Sequence, residues 1–320
     1  MAGLSAAARG AAAALHAAAW EFRRDAYARG WRSPRAVPAR VVSIGNLTVG
    51  GAGKTTLALH LARRALARGL DAAVVCRRYR PGPGGEGDEE KLFAAALGAQ
   101  RCFAGRSKRD EAARAAASGA RLVLVDDGFS HWPLERDLDV VLLDRTDLLG
   151  GSRMFPAGRL REPLRALQRA DVVVISRLGA QEEAGGFIEQ ARALAPAASF
   201  AAGRHRLAGV RDLAGAERPE RGRAHLVTAT GNPGAVEASA SEAGFEPVTV
   251  SAYRDHHWFG ADEARRELAR AGDGVLLLTR KDAVRWPAVA AEPRVRVLDV
   301  EWEWVCGGAA VEDLVFEPGA

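Results

Sequence analysis

Lysine is almost missing from this chain. Of 45 basic residues only four are lysines (Lys54, Lys91, Lys108 and Lys281), and the other 41 are arginines. The chain therefore uses arginine wherever a generic cation will do. A lysine placed where a compact point charge suits a phosphate carries more information than any single arginine. Cysteine is also scarce: Cys76, Cys102 and Cys306 are scattered, with no CxxC spacing. That excludes a disulfide framework and a cysteine zinc site, and makes a reducing, cytosolic environment the default expectation. No run of 18 apolar residues is free of charge, so no membrane-spanning helix is expected. No internal repeat is evident. Past residue 40 acids and bases balance, which leaves no basic stripe for nucleic acid.

What is present is a chain of 320 residues with 48% hydrophobic content, enough for a large core and two domains. Its net charge of +5 is concentrated at one end. Residues 1–40 hold seven arginines against Glu21 and Asp25, a surplus equal to that of the whole chain. The same segment is alanine-rich, with Leu4, Ala8, Ala11, Leu15, Ala18 and Phe22 near helical spacing and Trp20, Tyr27 and Trp31 toward its end. One reading is an amphipathic helix lying on an anionic bilayer surface. The other is an ordinary helix packed on the domain with arginines on its wet face. The basic residues mostly follow the apolar part, which disfavours a signal peptide.

Beyond residue 35, strand and helix patterns alternate. Strands are expected over 41–45, 72–76, 122–125, 140–143 and 172–176, with helices over 55–68, 89–97, 108–118 and 181–194. A second set follows: a strand over 224–228, a helix over 234–243, and strands over 248–251, 275–279 and 295–300. The interval 199–210 reads as strand-like and links the halves. Continuous apolar strands between helices indicate a parallel sheet covered on both faces. The expected fold class is α/β: a P-loop-NTPase-like parallel sheet flanked by helices, with a second, smaller α/β lobe. The expected boundaries are an N-terminal helix over 1–35, a P-loop domain over 36–200 and a C-terminal lobe over 201–320.

The strongest motif begins at Val41. An apolar run enters Gly45-Asn46-Leu47-Thr48-Val49-Gly50-Gly51-Ala52-Gly53-Lys54-Thr55-Thr56, and a helical pattern follows. This is the order of a strand, phosphate loop and helix. Glycines let successive backbone N–H groups wrap a β-phosphate, and the helix start adds free donors. Thr48–Thr56 are thus the expected nucleotide-binding residues. Lys54 would reach the β- and γ-phosphates, and the Thr55 hydroxyl would ligate magnesium. Thr48 stands where the strict pattern has glycine. A glycine-rich turn followed by a chance Lys-Thr is the competing account.

Leu122-Val123-Leu124-Val125-Asp126-Asp127-Gly128 ends an apolar run in carboxylates, the Walker B arrangement that holds magnesium beside a P-loop. Two further segments are more ambiguous. In Gly87-Asp88-Glu89-Glu90, a carboxylate on a loop could take a proton from an acceptor hydroxyl, although spacing alone favours Asp88 as a helix N-cap. In Tyr253-Arg254-Asp255-His256-His257-Trp258-Phe259, two histidines beside Asp255 suit acid–base work, while a pair of surface histidines is the plainer reading.

Taken in order, these motifs resemble those of the tetraacyldisaccharide 4'-kinase (lipid A 4'-kinase) family. The resemblance extends through Asp126-Asp127-Gly128-Phe129-Ser130-His131, Leu134-Glu135-Arg136-Asp137, Pro156-Ala157-Gly158-Arg159-Leu160-Arg161-Glu162-Pro163-Leu164, Gly231-Asn232-Pro233 and Thr279-Arg280-Lys281-Asp282-Ala283-Val284. It implies transfer of the γ-phosphoryl of ATP to the 4'-hydroxyl of a tetraacylated glucosamine disaccharide 1-phosphate, with Mg2+ as cofactor. It also implies a peripheral position on the cytoplasmic face of a bacterial inner membrane through the N-terminal helix, with neither nucleic acid nor a protein partner. By the same resemblance Asp88 would be the base, His256 would orient it, and Lys54 would steady the phosphoryl group. Asp126, Asp127 and Thr55 would hold magnesium, and Asn46, Arg77 and His131 match polar positions near the substrate. Two lobes would close to bring Asp88 and His256 together at the triphosphate.

The chain departs from the family pattern at Ser130 (usually Gln), Arg78 (usually Gly), Glu90 and Arg159 (usually Pro) and Arg280 (usually Glu). Ser130 and Arg78 bear on the acceptor, so a paralogous kinase with another acceptor is one alternative. A nucleotide switch or metallochaperone is a second, although the metal ligands or second loop lysine it needs are not visible. A paralogue without catalysis would be expected to lose Asp88, Asp126, Asp127 or His256, and all four are present.

Overall fold

Val41, Val42 and Ile44 are at most 2% exposed, as a strand with helices on both faces requires. In the computed structural model, which describes residues 5–290 and 292–317, the elements follow in this order. The first half holds α1 (Ala6–Ala28), β1 (Arg40–Asn46), α2 (Lys54–Ala67), β2 (Ala72–Arg77), α3 (Asp88–Leu97), β3 (Cys102–Gly105), α4 (Lys108–Ala117), β4 (Leu122–Asp126), β5 (Leu138–Asp144) and β6 (Val172–Ser176). Then come α5 (Gly185–Arg192), β7 (Ser199–Arg211), β8 (Gly222–Thr228), α6 (Pro233–Glu242), β9 (Phe245–Ala252), α7 (Ala261–Arg270), β10 (Val275–Thr279), α8 (Arg280–Ala283), β11 (Val295–Cys306) and α9 (Gly308–Phe316).

Two compact units share these elements. The first comprises residues 1–77, 100–204 and 302–320, and the second residues 78–99 and 205–301. The units differ from the expected division at 200/201. Residues 78–99 join the second because α3 packs on α8, and α9 joins the first because Glu312 receives His60 and Arg64 of α2 and Arg68 just after it.

In the first unit the parallel strands run β3-β2-β4-β1-β5-β6-β7. β1 lies between β4 and β5, with Ile44 opposite Asp126 and Asn46 opposite Leu142. That register sets the C-terminal ends of β1 and β4 side by side, where open α/β sheets carry ligands. The expected fold class, a P-loop-NTPase-like parallel sheet flanked by helices, is borne out. Leu57, Ala58, Leu61, Ala62 and Ala65 form the buried stripe of α2.

The helix α1 starts at Ser5, whose hydroxyl accepts from the Ala8 amide at 3.2 Å. It packs on the first unit: Trp20 is buried, and Trp20 and Tyr27 meet the Trp132 ring at 6.4 and 5.6 Å between centroids. The stripe carrying Leu15 and Phe22 faces outward, at 73% and 67% exposure. Leu4 lies outside the described residues.

The second unit pairs β11-β10-β8-β9, again in parallel. Glu267 of α7 is buried and accepts from the Tyr253 hydroxyl at 2.6 Å. Its other oxygen lies 2.6 Å from His225 Nε2 of β8, so a polar network fastens helix to sheet. Four elements have no counterpart in the sequence reading: β3, α7, α8 and α9. The four residues of β3 are too few to show a period. The apolar content of α7 is thin, since Arg and Glu fill most of its turns.

One close approach locks the first unit around β1. A Cβ at Gly45 would lie 2.3 Å from Phe129 Cβ and 3.0 Å from the Phe129 amide nitrogen, so backbone and side chain would both have to shift. Gly45→Ala is therefore expected to lower stability by about 1–3 kcal/mol. A urea unfolding midpoint equal to that of the wild type would contradict this packing.

Candidate active site

The first unit builds its site from the ends of β1 and β4. Glycine supplies the left-handed backbone at Gly50 (φ 114°) and Gly53 (φ 89°), and Lys54 opens α2 directly afterwards. The loop is gripped from one side by residues 159–161. The Val49 amide donates to the Arg159 carbonyl at 2.7 Å, and the Arg161 amide donates to the Leu47 carbonyl at 2.7 Å. Arg159 and Arg177 donate their guanidinium N–H groups to the carbonyls of Val49 and Gly51. Thr48 pairs with Leu160, Ala52 is buried, and Thr56 follows in the first turn of α2.

The functional side chains converge at the loop's end. Lys54 Nζ donates to Asn46 Oδ1 at 2.9 Å and lies 3.4 Å from Asp127 Oδ1. The Thr55 hydroxyl donates to Asp126 Oδ2 at 3.0 Å. Asp126 is 2% exposed, and its other oxygen has no hydrogen-bond partner. Burial pushes the Asp126 carboxyl up, partly offset by Lys54. Its neighbour goes the other way: desolvation is outweighed by Lys54 and by hydrogen bonds from Arg161, which hold Asp127 well below the usual carboxylate range. Asp127 also sits at φ 54°, a left-handed conformation rare for a residue with a Cβ. Lys108 Nζ donates to the Asp127 carbonyl at 2.5 Å.

In the sequence reading Arg161 falls in a family segment but has no role. It donates to both oxygens of Asp127, at 2.9 and 2.7 Å, and also to Asn46 Oδ1. Its guanidinium is one of 41 in the chain, and nothing in its spacing marks it out. His131 follows the Gly128 turn, its amide donating to the Gly128 carbonyl at 2.8 Å. Burial, together with Lys108 and Arg136, presses its imidazole down to about 4, so it is neutral at pH 7. Neither His131 Nε2 nor Ser130 Oγ has a hydrogen-bond partner among the described residues. Arg77 ends β2, exposed, in register with Gly105 of β3.

No cluster of three His, Cys, Asp or Glu side chains suited to a metal exists among the described residues. Two carboxylates and a hydroxyl are instead the donor set of a magnesium ion that completes its shell with phosphate and water. The unpartnered buried oxygen of Asp126 fits that role.

The second unit carries the other pair. Asp88 and His256, expected on opposite lobes, both belong to it. His256 Nδ1 lies 2.8 Å from Asp88 Oδ2 across 168 residues of sequence. Asp88 is the first residue of α3, not its cap. Gly87 takes the cap position, and Glu90 reaches back to the Gly87 amide at 3.1 Å. The Asp88 carboxylate is 3% exposed and its Oδ1 accepts from the Glu89 amide at 2.9 Å. Burial alone would raise it. The His256 hydrogen bond, Lys281 and Arg285 prevail and hold it at about 2. His256 stands at φ 63°, with its amide donating to Asp255 Oδ1 at 3.0 Å and the Tyr79 ring crossing it nearly edge-on, 5.4 Å between centroids. His257 turns elsewhere, 2.6 Å from Glu263 Oε2.

Two departures in this unit answer each other. Arg78 donates twice to Glu90, at 2.8 and 2.7 Å. The bulky cation therefore has a partner on the same helix that begins with Asp88. Trp258 holds the loop between them, its indole N–H donating to the Arg80 carbonyl at 3.0 Å and its ring lying against Gly82.

Comparison with known proteins places the chain in a family. The family model described as tetraacyldisaccharide-1-P 4'-kinase (LpxK) matches residues 10–316. A tetraacyldisaccharide 4'-kinase of Anaeromyxobacter sp. (strain Fw109-5) is 38% identical, the match covering 89% of this chain and 86% of that protein. One from Halorhodospira halophila is 32% identical over 95% of this chain and 91% of its own length. The crystal structure of LpxK from Aquifex aeolicus in complex with ATP superposes with a TM-score of 0.70 at 22% identity, covering 95% of this chain and 96% of that one. A P-loop joined to Asp126, an Asp88–His256 pair and a match along nearly the whole sequence lead to one conclusion: the chain belongs to the tetraacyldisaccharide 4'-kinase family.

Proposed function

We propose that this chain transfers the γ-phosphoryl of ATP to the 4'-hydroxyl of a tetraacylated glucosamine disaccharide 1-phosphate, the lipid A precursor. The observation that carries the reading is the Thr55–Asp126 hydrogen bond with the second Asp126 oxygen left open, inside a chain of this family. Such transfer depends on positioning and charge neutralisation more than on covalent chemistry. The backbone of Thr48–Thr56 wraps the phosphates, and Lys54, already held by Asn46, follows the γ-phosphoryl as it moves. Thr55, Asp126 and Asp127 would hold magnesium, which when bound would supply charge neutralisation at the phosphates.

The Asp88–His256 pair takes the hydroxyl proton. Asp88 serves as the acceptor carboxylate and His256 fixes and polarises it. Asn46, Arg77 and His131 line the polar end of the acceptor site, His131 as a neutral hydrogen-bonding group. Strain at Asp127 and His256 supports these assignments, because left-handed non-glycine residues persist where the surroundings over-determine them.

The N-terminal helix meets the membrane. Its outward Leu15 and Phe22, with exposed Trp31 and the arginines of residues 1–40, form an apolar stripe edged by positive charge. No described helix is long and apolar enough to cross a bilayer. The contact is peripheral, on the anionic cytoplasmic face of the inner membrane.

Purified protein incubated with ATP, magnesium and detergent-dispersed lipid A precursor should yield a product one phosphate heavier, with the addition mapped by mass spectrometry to the non-reducing sugar. ATP turnover without that product, stimulated by a protein partner, would favour a nucleotide switch. Lys54→Ala and Asp88→Asn should each reduce transfer by about 10²–10⁴-fold while retaining the wild-type circular dichroism spectrum. Undiminished transfer by Asp88→Asn would remove Asp88 from the reaction. Leu15→Asp combined with Phe22→Asp should abolish sedimentation with anionic vesicles yet spare activity on detergent-dispersed substrate, and unchanged sedimentation would contradict the membrane contact.

A further inference from the structure

Lys281 is one of only four lysines, and its ammonium stands among three carboxylates without hydrogen bonding to any. Asp88 Oδ2 and Asp255 Oδ1 are each 3.7 Å away, and Glu89 Oε1 is 4.0 Å away. Its place is set by a rigid turn. Thr279 caps α8, its hydroxyl donating to Asp282 Oδ2 at 2.6 Å and accepting from the Asp282 amide at 3.1 Å. Asp282, wholly buried, accepts the Ala229 amide at 3.0 Å and Arg285 at 2.5 Å. Arg285 Nε closes the turn by donating to the Lys281 carbonyl at 3.1 Å. The backbone of Lys281 is thus pinned while its side chain remains 23% exposed.

The charges that face the Asp88–His256 pair come from four stretches of chain. From α3 come Asp88 itself and Glu89, and from the loop before it the Tyr79 ring. From the segment after β9 comes Asp255, whose Oδ2 lies 3.7 Å from His256 Nε2. From α8 and the residues after it come Lys281 and the fully buried Arg285, 3.4 Å from Asp88 Oδ2. Two permanent cations therefore already share the carboxylate that His256 hydrogen-bonds. A third cation, an imidazolium, is opposed by both of them and favoured by the carboxylates of Asp88 and Asp255. Arg285 is committed to Asp282 and the Ala229 carbonyl, which leaves Lys281 as the adjustable member.

We propose that Lys281 is a positioning residue for the transfer: from beside Asp88 it competes with His256 for the same carboxylate and so sets the charge of the pair that receives the hydroxyl proton. The inference rests on the kinase reading above and deepens it. The hydroxyl loses its proton to the pair as the new P–O bond forms and the bond to the leaving ADP oxygen breaks. Lys281 neither gives nor takes a proton; it sets the charge state into which the proton arrives.

The test follows the His256 imidazole by NMR titration alongside steady-state kinetics of the full chain. In Lys281→Met the imidazole titration should move to higher pH by about half a unit or more, because Asp88 is released from a competing cation. The kcat should fall about tenfold, with KM for ATP within about twofold of the wild type. Lys281→Arg, which keeps the charge, should restore the titration and most of the rate. Asp255→Asn, at a solvent-facing position, should move the titration the opposite way, to lower pH, and supplies the readout if Lys281→Met does not fold. An unmoved titration in both Lys281→Met and Asp255→Asn overturns the proposal, as does a loss of rate in Lys281→Met with no change in titration. Wild-type protein that makes no phosphorylated product would defeat the kinase reading instead, a result separate from either variant.

Discussion

A single hydrogen bond, from the Thr55 hydroxyl to Asp126, joins the first turn of α2 to the end of β4. It exists because β1 and β4 are in parallel register, which brings the loop leaving one strand beside the carboxylate ending the other. The apolar run 122–125 buries the strand, and burial in turn makes Asp126 costly to keep charged unless cations face it. Lys54 supplies one from the helix start. The fold therefore gives one Asp126 oxygen a partner in Thr55 and leaves the other without a hydrogen bond among the described residues.

The same balance recurs in the second unit. Asp88 is as deeply buried as Asp126, but it is held low, because a histidine, an arginine and a lysine all face it. In each unit the chain spends positive charge on a buried carboxylate at the start of a helix or the end of a strand. Three of its four lysines, Lys54, Lys108 and Lys281, stand at such places, where a compact ammonium fits better than a planar guanidinium. The abundant arginines serve as struts, as Arg285 does against Asp282 and Arg161 against Asp127.

Much of this was legible in the sequence, because it is written locally. The strand, glycine loop, Lys54 and Thr55 are contiguous, and four apolar residues announce Asp126. A helix within residues 1–35 was legible too; the packed reading holds for Trp20, which is buried, while Leu15 and Phe22 point out. What was hidden is non-local. The contact between Asp88 and His256 spans 168 residues and has no signature in spacing; only the family resemblance pointed to it. Arg285 and the role of Arg161 were obscured by composition, since an arginine-rich chain makes each guanidinium look ordinary; Lys281 stood out as a lysine, but nothing in its spacing placed it beside Asp88. Gly87, lacking a side chain, took the cap that spacing assigned to Asp88. The Arg78–Glu90 pair shows why single departures mislead: each looks disruptive alone, and together they make a bidentate ion pair on α3.

The central claim is that the open oxygen of Asp126 and the Thr55 hydroxyl await a nucleotide-bound magnesium. A crystal structure with Mg2+ and a non-hydrolysable ATP analogue tests it directly. The account predicts an octahedral ion about 2.1 Å from Thr55 Oγ1, with Asp126 in its shell directly or through one water. A metal seated on other side chains, with the Thr55–Asp126 hydrogen bond undisturbed and no phosphate in the Gly50–Lys54 loop, would contradict it.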